Sequence, residues 1–287
     1  MDVRKKLRAA LERGEFIPAP GAYDALTAKI VAWAGFPAVY MTGFGTSVAH
    51  FGLPDLGFLT MTEMSENAAR LAGAVDIPLI ADADTGYGNP MNVVRTIRAF
   101  EKSGAAAVHL EDQEWPKRCG HMAGKKVIPA QDMAAKIKAA VDARQDPDFL
   151  IIARTDALAV EGFEPALERA ARYAEAGADI LFVEAPTTVE QMTALPRRLT
   201  QRPLLINLAP LTPNLSIDEL KNLGYAIALF PGLCLAAAIS ACRAEAARLK
   251  ETGRQRDFSE WGQSFTELNA WLEVPYYTGL EQKYKSD

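Results

Sequence analysis

The sequence predicts an α/β fold in which eight parallel strands close into a (β/α)8 barrel, a TIM barrel. A short apolar run recurs eight times along the 287 residues. The runs are continuously apolar rather than alternating, as expected of parallel strands that are buried on both faces. Polar turn residues and an Ala-rich segment with helical periodicity follow the runs, and repeated β-then-α units of this kind are typical of the barrel.

The predicted strands follow one another without a linker rich in Pro, Gly or Ser. We therefore expect a single barrel domain over residues 1–287, with a helical tail from about residue 257. The alternative is a doubly wound open sheet, but the first turn, PAPGAYDA, lacks the Gly-rich phosphate-binding pattern of that fold. In chain order the predicted strands are Phe16–Pro20, Ala38–Gly43, Pro78–Asp84, Ala106–Asp112, Phe149–Asp156, Ile180–Ala185, Pro203–Leu208 and Tyr225–Pro231.

Composition excludes several classes of function. The chain has 31 Lys and Arg residues against 36 Asp and Glu, a formal net charge of -5, which argues against a nucleic-acid partner. No apolar run reaches the ~18 residues of a membrane span, and the charged N-terminus does not resemble a signal peptide. Three cysteines do not form a disulfide framework, and three histidines lack zinc-ligand spacing, so we expect a cytoplasmic protein.

The tail after the last strand carries large apolar residues at helical spacing. Trp261, Phe265, Leu268 and Leu272 recur every three to four positions, with Trp271 beside them. Such a stripe either packs on the chain's own barrel or is buried against another subunit. The sequence leaves both alternatives open.

Acidic residues end two neighbouring predicted strands. Asp82 and Asp84 would share one strand face, and Glu111 would lie at a matching height on the next strand. Without neutralising partners, three converging carboxylates would repel one another and raise their pKa values, and a divalent cation would remove that conflict. Oxygen ligands favour Mg²⁺ or Mn²⁺. The alternative is that these acids cap helices and close turns.

Other strand ends carry polar side chains as well. Arg154 follows the apolar run FLIIA, where its charge needs a partner: a substrate carboxylate, Glu111 or Glu184. A purely structural ion pair is the alternative. Asn207 ends the seventh run and would either bind a substrate carboxylate or close a turn.

A basic loop with a central cysteine follows the fourth strand. Its residues are Lys117, Arg118, Cys119, Gly120 and His121. The neighbouring cations would depress the pKa of Cys119, and Gly120 would allow close approach or motion. The alternative is an exposed loop with an incidental thiol. Cys234 and Cys242 lie in an Ala-rich helical stretch and are interpreted as small core residues.

These motifs resemble the isocitrate lyase/phosphoenolpyruvate mutase superfamily. The resemblance is carried by KRCGH after a strand ending in LED, by DADTGYGN before it and by ARTDA after it. It extends from PGAYDA through GLPDLG to EAP at 184–186. The chain is most similar to the bacterial branch that includes 2-methylisocitrate lyase, 2,3-dimethylmalate lyase and oxaloacetate hydrolase.

The resemblance implies a barrel whose eighth helix is exchanged between subunits, usually in a homotetramer. It also implies a Mg²⁺ site at Asp82, Asp84 and Glu111, partly through water, and a general acid at Cys119 on a gating loop. The remaining expected site residues are Tyr40, near the reacting oxygen; Lys117, Arg118 and His121, in catalysis; and Thr42, Gly43, Phe44, Asp55, Gly120, Arg154, Glu184 and Asn207, in substrate binding.

The implied activity is Mg²⁺-dependent cleavage of a 2-hydroxy dicarboxylate to pyruvate or another 2-oxo acid and a carboxylic acid. Hydrolysis or decarboxylation of oxaloacetate or another oxo acid is the alternative. A phosphonate mutase, whose relatives generally lack the loop cysteine, and a non-catalytic binding barrel fit less well.

The sequence departs from methylisocitrate lyases where they bind further carboxylates. A Thr-Glu-Phe-Gly run is replaced after Asn207 by Leu-Ala-Pro-Leu, and two arginines of those enzymes have no counterpart in PGLCLAAAIS or in the tail. Each unpaired substrate carboxylate would cost roughly 2–5 kcal/mol. We therefore expect a smaller, more apolar substrate such as a substituted malate, with Leu208, Leu211 and Leu233 lining the far end of the pocket.

Overall fold

Eight parallel strands form a closed barrel in the order β1 to β8. The computed structural model describes residues 2–262 and 264–285, except the side chains of 258 and 261. Every predicted strand and the (β/α)8 fold class are confirmed. The barrel closes where β1 pairs with β8, with Ile17 opposite Ile227. The strands are β1 Ile17–Ala22, β2 Val39–Met41, β3 Leu79–Asp82, β4 Ala107–Glu111, β5 Leu150–Thr155, β6 Ile180–Val183, β7 Leu204–Asn207 and β8 Ile227–Phe230.

Helices connect the strands, and local sequence defines several of their ends. Asn89 accepts hydrogen bonds from the first turn of the helix after β3, and Pro90 occupies its first position, where no backbone donor is needed. The helices are α1 Val3–Glu12, α2 Ala25–Trp33, α3 Gly43–Phe51, α4 Met61–Ala72, α5 Pro90–Lys102, α6 Ala130–Ala143, α7 Phe163–Glu175, α8 Val189–Arg198, α9 Ile217–Leu223, α10 Leu233–Thr252, α11 Phe265–Trp271 and α12 Val274–Lys283, with 3₁₀ turns at Ala157–Ala159 and Phe258–Trp261.

Alternate residues of the strands point to opposite sides of the barrel wall, and both sides are apolar. Ile80, Ile152 and Phe182 belong to the cluster inside the barrel, with Leu7 of α1 in the same cluster. Leu79 and Ile151 belong to the cluster between the strands and the surrounding helices. Burial on both faces explains why the strands are continuously apolar in sequence.

The chain divides into two compact units, residues 1–235 and 236–287. In the second unit, Ser264 and Glu267 form a reciprocal cap at the start of α11. Phe265, Tyr276 and Tyr284 are more than half exposed. The extent of the single domain, the tail boundary near residue 257 and exchange of the tail between subunits stay predictions, and the Trp261 side chain lies outside the described residues.

Two features of the described residues bear on the sequence analysis. No described helix is long and apolar enough to cross a membrane. Cys234 is partly buried against the core, but Cys242 is exposed. The core interpretation of Cys242 is therefore wrong.

Candidate active site

Inward-facing positions of the strands become polar at the carboxyl end of the barrel. In β3, β5 and β6 the interior residues Ile80, Ile152 and Phe182 are followed two positions later by Asp82, Arg154 and Glu184. The period of two places these polar side chains on the same inner face. Tyr40, His109, Glu111 and Asn207 occupy equivalent positions on β2, β4 and β7. The site is thus the end of the barrel interior at which TIM barrels carry their reactive groups.

Asp82, Asp84 and Glu111 are all buried at this end. Asp82 Oδ2 accepts a hydrogen bond from the Gly43 backbone at 3.2 Å, and Oδ1 accepts one from Asp84 N at 2.9 Å. Glu111 N donates to Asp84 O at 2.9 Å, so the two strand ends are adjacent as predicted. Asp84 does not share a strand face with Asp82, because β3 ends at Asp82 and Asp84 has a φ of 46°.

The loop after β4 supplies a neutralising partner that the sequence analysis did not anticipate for these acids. Lys117 Nζ lies 2.5 Å from Asp55 Oδ1 and 2.7 Å from Asp84 Oδ1, and all three side chains are buried. Burial lowers the pKa of Lys117, but Asp84 and Asp55 outweigh it and raise the pKa well above its ordinary value. The condition under which these carboxylates would repel one another is therefore not met at Asp84, which has a lysine partner.

The three acids differ in their pKa values. Burial raises the pKa of Asp82, but the neighbouring His109, Lys117 and Arg154 and a hydrogen bond from the Asp84 backbone outweigh it and leave that pKa below its ordinary value. Burial raises the pKa of Asp84 to about 6, against the opposing charge of Lys117. Burial also raises the pKa of Glu111 well above its ordinary value, with Arg154 opposing. An added cation would favour the charged forms of Asp84 and Glu111.

The donor set fits a hard divalent cation. Both carboxylate oxygens of Glu111 are buried without a hydrogen-bond partner among the described residues, and Asp84 Oδ1 has an ion-pair contact with Lys117 but no hydrogen bond of good geometry. The described residues contain no group of three His, Cys, Asp or Glu side chains already arranged to bind a metal. The oxygen donors of Asp82, Asp84 and Glu111 are nevertheless of the type that Mg²⁺ prefers, and Mg²⁺ in proteins usually keeps several waters.

Tyr40 and His109 form a buried pair beside Asp82. Tyr40 Oη lies 2.9 Å from His109 Nε2 and donates to Asp82 Oδ2 at 3.5 Å. Burial raises the pKa of Tyr40 well above its ordinary value and lowers the pKa of His109. Both side chains are therefore neutral near pH 7. His109 is not among the site residues predicted from the sequence, although it precedes Glu111 by two residues and shares its strand face.

Arg154 lies among three acids at the barrel end. Its Nη1 is 3.3 Å from Glu111 Oε2 and 3.4 Å from Glu184 Oε2, which confirms both predicted protein partners. The main partner is Asp156: Arg154 Nε donates to Oδ2 at 2.9 Å and Nη2 donates to Oδ1 at 3.0 Å. Burial raises the pKa of Asp156, but Arg154 and Lys125 outweigh it and lower that pKa to about 2. The bidentate pair fixes the guanidinium plane.

The loop of residues 117–121 lies against the site. The backbone N–H of Cys119 donates to Asp55 O at 3.0 Å. A Cβ atom at Gly120 would lie 2.4 Å from Arg154 Nη2, so this close approach requires glycine. Burial raises the pKa of the Cys119 thiol, with Asp55 adding to the shift. The predicted depression of this pKa is therefore wrong: Lys117 is committed to carboxylates, and burial dominates.

His121 connects the loop to two strands. Its Nε2 lies 2.9 Å from Glu184 Oε1, and its Nδ1 accepts a hydrogen bond from Leu211 N at 3.1 Å. These partners place a ring N–H at Nε2, directed at Glu184, because Nδ1 is the acceptor. Asn207 Nδ2 lies 3.3 Å from both Glu184 oxygens, so Asn207 supports the acid that holds the loop.

The expected site residues are not all brought together. Arg118 is exposed, and its hydrogen bonds to Gln113 are made by its backbone, so the structure does not place its side chain in the group. Phe44 is 37% exposed at the start of α3. Thr42 is buried and caps α3 by accepting from Gly45 N at 3.1 Å.

The chain belongs to the phosphoenolpyruvate phosphomutase family, whose model matches residues 7–250. This confirms the predicted superfamily. Among curated relatives, a 2,3-dimethylmalate lyase of Eubacterium barkeri is 43% identical over 289 residues, with 99% of each chain covered. A 2-methylisocitrate lyase of Aeropyrum pernix is 42% identical over 253 residues, which cover 88% of this chain and 81% of the relative.

Solved structures of related enzymes have the same fold. A 2,3-dimethylmalate lyase has a TM-score of 0.93 and 38% identity, covering 99% of this chain and 95% of the other. An oxaloacetate acetylhydrolase with bound 3,3-difluorooxalacetate has a TM-score of 0.93 and 37% identity, covering 98% and 97%. A phosphonopyruvate hydrolase with oxalate and Mg²⁺ has a TM-score of 0.91 and 32% identity, covering 99% of each chain.

Proposed function

We propose that the chain is a carbon–carbon lyase that cleaves a 2-hydroxy dicarboxylate to pyruvate or another 2-oxo acid and a carboxylic acid. The observation that supports the proposal is the loop of residues 117–121, in which the half-buried Cys119 bonds through its backbone to Asp55 and Lys117 contacts both Asp55 and Asp84. The raised pKa of Cys119 keeps its thiol protonated near neutral pH. A proton donor is what the cleaved carbon requires.

A divalent cation belongs to this proposal, with Mg²⁺ preferred and Mn²⁺ as the alternative. Asp82, Asp84 and Glu111 would hold it, partly through water. Both buried oxygens of Glu111 lack a hydrogen bond, although Oε2 lies 3.3 Å from Arg154 Nη1, and this supports the assignment. When bound, the ion supplies Lewis-acid chemistry: it lowers the pKa of the substrate hydroxyl and stabilises the resulting charge.

The residues of the chain perform the remaining steps. Arg154 binds one substrate carboxylate through Nη1, which does not contact Asp156 but lies 3.3 Å from Glu111 Oε2 and 3.4 Å from Glu184 Oε2. The hydroxyl loses its proton, the C2–C3 bond breaks, and its electrons pass to C3. The Cys119 thiol protonates C3 and becomes a thiolate. Over the full cycle the thiolate regains one proton, which balances the proton lost by the substrate hydroxyl.

Other residues of the group stabilise charge and exclude water. Tyr40 stays a phenol because of its raised pKa, so it serves the reacting oxygen as a hydrogen-bond donor. Lys117, held by Asp55 and Asp84, contributes a fixed positive charge. His121 and Gly120 keep the loop against Glu184 and Arg154, and a closed loop keeps water from the carbanion.

We further propose that the substrate is a substituted malate. Leu208 packs against the core next to Asn207, while Leu211 and Leu233 are 51% and 54% exposed. These side chains offer a substrate no charge or hydrogen-bond donor, so a third carboxylate would gain no protein partner from them. An alkyl group suits such a surface.

The test is pyruvate release from 2,3-dimethylmalate and from 2-methylisocitrate, with and without Mg²⁺. We expect metal-dependent turnover of the former, and its loss in Cys119→Ala. The exposed Cys242 provides the matched control, because Cys242→Ala should retain turnover. Efficient cleavage of 2-methylisocitrate alone would contradict the substrate assignment, and an active Cys119→Ala variant would contradict the mechanism.

Oxaloacetate hydrolysis is the second candidate, favoured by the close structural similarity to oxaloacetate acetylhydrolase. In that reaction water adds to the C2 carbonyl and the C2–C3 bond breaks, so oxalate and acetate form instead of pyruvate and a larger acid. Incubation with oxaloacetate and measurement of oxalate decides between the two activities.

The cellular setting completes the proposal. We assign the protein to the reducing cytoplasm, since its cysteines are free in the structure. We also propose a homotetramer of dimers that exchange their C-terminal helices. Light scattering on the purified full-length chain tests the tetramer, and a monomeric mass would contradict it.

A further inference from the structure

Lys125 is a buried lysine that the mechanism above does not use. Its Nζ donates to the carbonyl oxygen of Gly120 and to Asp156 Oδ1, the latter at 3.1 Å. Lys125 and Asp156 are both buried. Lysine is rarely buried without a specific partner, because desolvation of its charge is costly. Here one ammonium group joins the loop of residues 117–121 to the acid at the end of β5.

Asp156 binds Arg154 as well as Lys125. The carboxylate holds the guanidinium through two hydrogen bonds of 2.9 and 3.0 Å, and Oδ1 accepts from both Arg154 Nη2 and Lys125 Nζ. The backbone N–H of Asp156 donates to Asp112 Oδ1 at 2.9 Å, which fixes the position of the acid. The orientation of Arg154 therefore depends on an acid that also binds Lys125.

Gly120 contacts the other side of the same arginine. A Cβ atom on Gly120 would lie 2.4 Å from Arg154 Nη2, so the loop backbone packs directly on the guanidinium. Opening the loop would break the hydrogen bond between Lys125 Nζ and the Gly120 carbonyl oxygen. The same movement would separate the Gly120 backbone from the Arg154 guanidinium. Lys125 would then be left with only its carboxylate partner.

We propose that Lys125 is a positioning residue that couples closure of the loop of residues 117–121 to the orientation of Arg154, through Asp156. The proposal rests on the proposed function in one respect, the binding of a substrate carboxylate by Arg154. A carboxylate on Arg154 then favours the closed loop, and the closed loop strengthens carboxylate binding by the same factor.

The experiment measures this coupling without turnover. Iodoacetamide modification of Cys119, resolved by peptide mass spectrometry, reports loop opening, and titration with oxalate in the presence of Mg²⁺ reports carboxylate binding. In the wild-type protein we expect oxalate to slow Cys119 modification by about tenfold or more. Lys125→Met should raise the modification rate without oxalate, remove most of the protection by oxalate and weaken oxalate binding by about tenfold.

The neighbouring Lys126 is exposed and provides the matched control, since Lys126→Met should behave as wild type. Full protection by oxalate in Lys125→Met would overturn the proposal. So would faster Cys119 modification with unchanged oxalate affinity, because that is the result of a purely structural role.

Two further comparisons keep the test decisive. If Lys125→Met does not fold, Lys125→Gln is measured in the same way. Its shorter, neutral side chain removes the ammonium bridge between Gly120 O and Asp156 Oδ1, so full protection by oxalate in this variant would overturn the proposal. If no hydroxy acid is cleaved, the proposed function fails, but the alkylation and oxalate measurements still decide the role of Lys125.

Discussion

Replacing Gly120 with alanine should prevent the loop of residues 117–121 from closing while leaving the barrel folded. The added Cβ would lie 2.4 Å from Arg154 Nη2 and 2.7 Å from Glu184 Cγ, both far inside ordinary nonbonded contact. Arg154 cannot simply move aside, because Asp156 holds it through two hydrogen bonds. Glu184 is likewise held by His121.

The size of the effect follows from the cost of overpacking. Adding one methyl group to a well-packed site typically costs about 1–3 kcal/mol. The cost applies to the closed state alone, since the open loop has no such neighbours. At about 1.4 kcal/mol for each tenfold change in an equilibrium constant, the equilibrium constant for loop closure falls roughly 5- to 150-fold. The value of kcat/KM should fall by the same factor.

The assay compares kcat/KM for 2,3-dimethylmalate in the wild-type protein and in Gly120→Ala, with the thermal midpoint as a check on folding. Gly279→Ala is the control, because a Cβ at that position meets nothing within 4 Å. Wild-type kcat/KM in Gly120→Ala, with Cys119 still protected from iodoacetamide, would refute the reasoning.

Three further predictions concern stability and metal binding. The pKa of Asp156 is lowered to about 2 from an ordinary 3.8, so its charged form stabilises the fold by roughly 2 kcal/mol above about pH 4. This stabilisation is lost as the pH falls from about 4 to 2. Thermal unfolding of the wild type and of Asp156→Asn between pH 2 and 6 measures the loss. Tyr40→Phe removes the partner of His109 Nε2 and should lower the urea unfolding free energy by about 1–3 kcal/mol. Saturating Mg²⁺, at about 100 times its Kd, should stabilise the wild type by about 2.7 kcal/mol, and Glu111→Gln should lose most of this shift in calorimetry.

The fold was predictable because burial on both sides of the barrel wall forces each strand to be apolar along its whole length. The inner-face position of Asp82 and Arg154 was predictable for a related reason, since a period of two continues past the last apolar residue of each strand. The adjacency of Glu111 to Asp84 followed from the order of the strands.

Contacts made across the loop were not predictable from residue types. Lys117 and Lys125 lie in the same basic stretch as Arg118 and Lys126, yet the first two are buried and the last two are exposed. The basic residues around Cys119 in the sequence suggested a depressed pKa. In the fold, however, the thiol is partly buried and Lys117 forms ion pairs with Asp55 and Asp84 instead. Only the tertiary path of the loop separates these outcomes.

Pairing of β1 with β8 has a consequence for biosynthesis. Ile17 is opposite Ile227, so β1 cannot form this pairing until the ribosome has synthesised β8, more than two hundred residues later. Until then both edge strands of the incomplete sheet expose unpaired backbone N–H and C=O groups on apolar segments. Such edge strands can pair with other chains and cause aggregation. Completion of the ring removes them, so aggregation of this protein should be a hazard of synthesis and refolding rather than of its finished state.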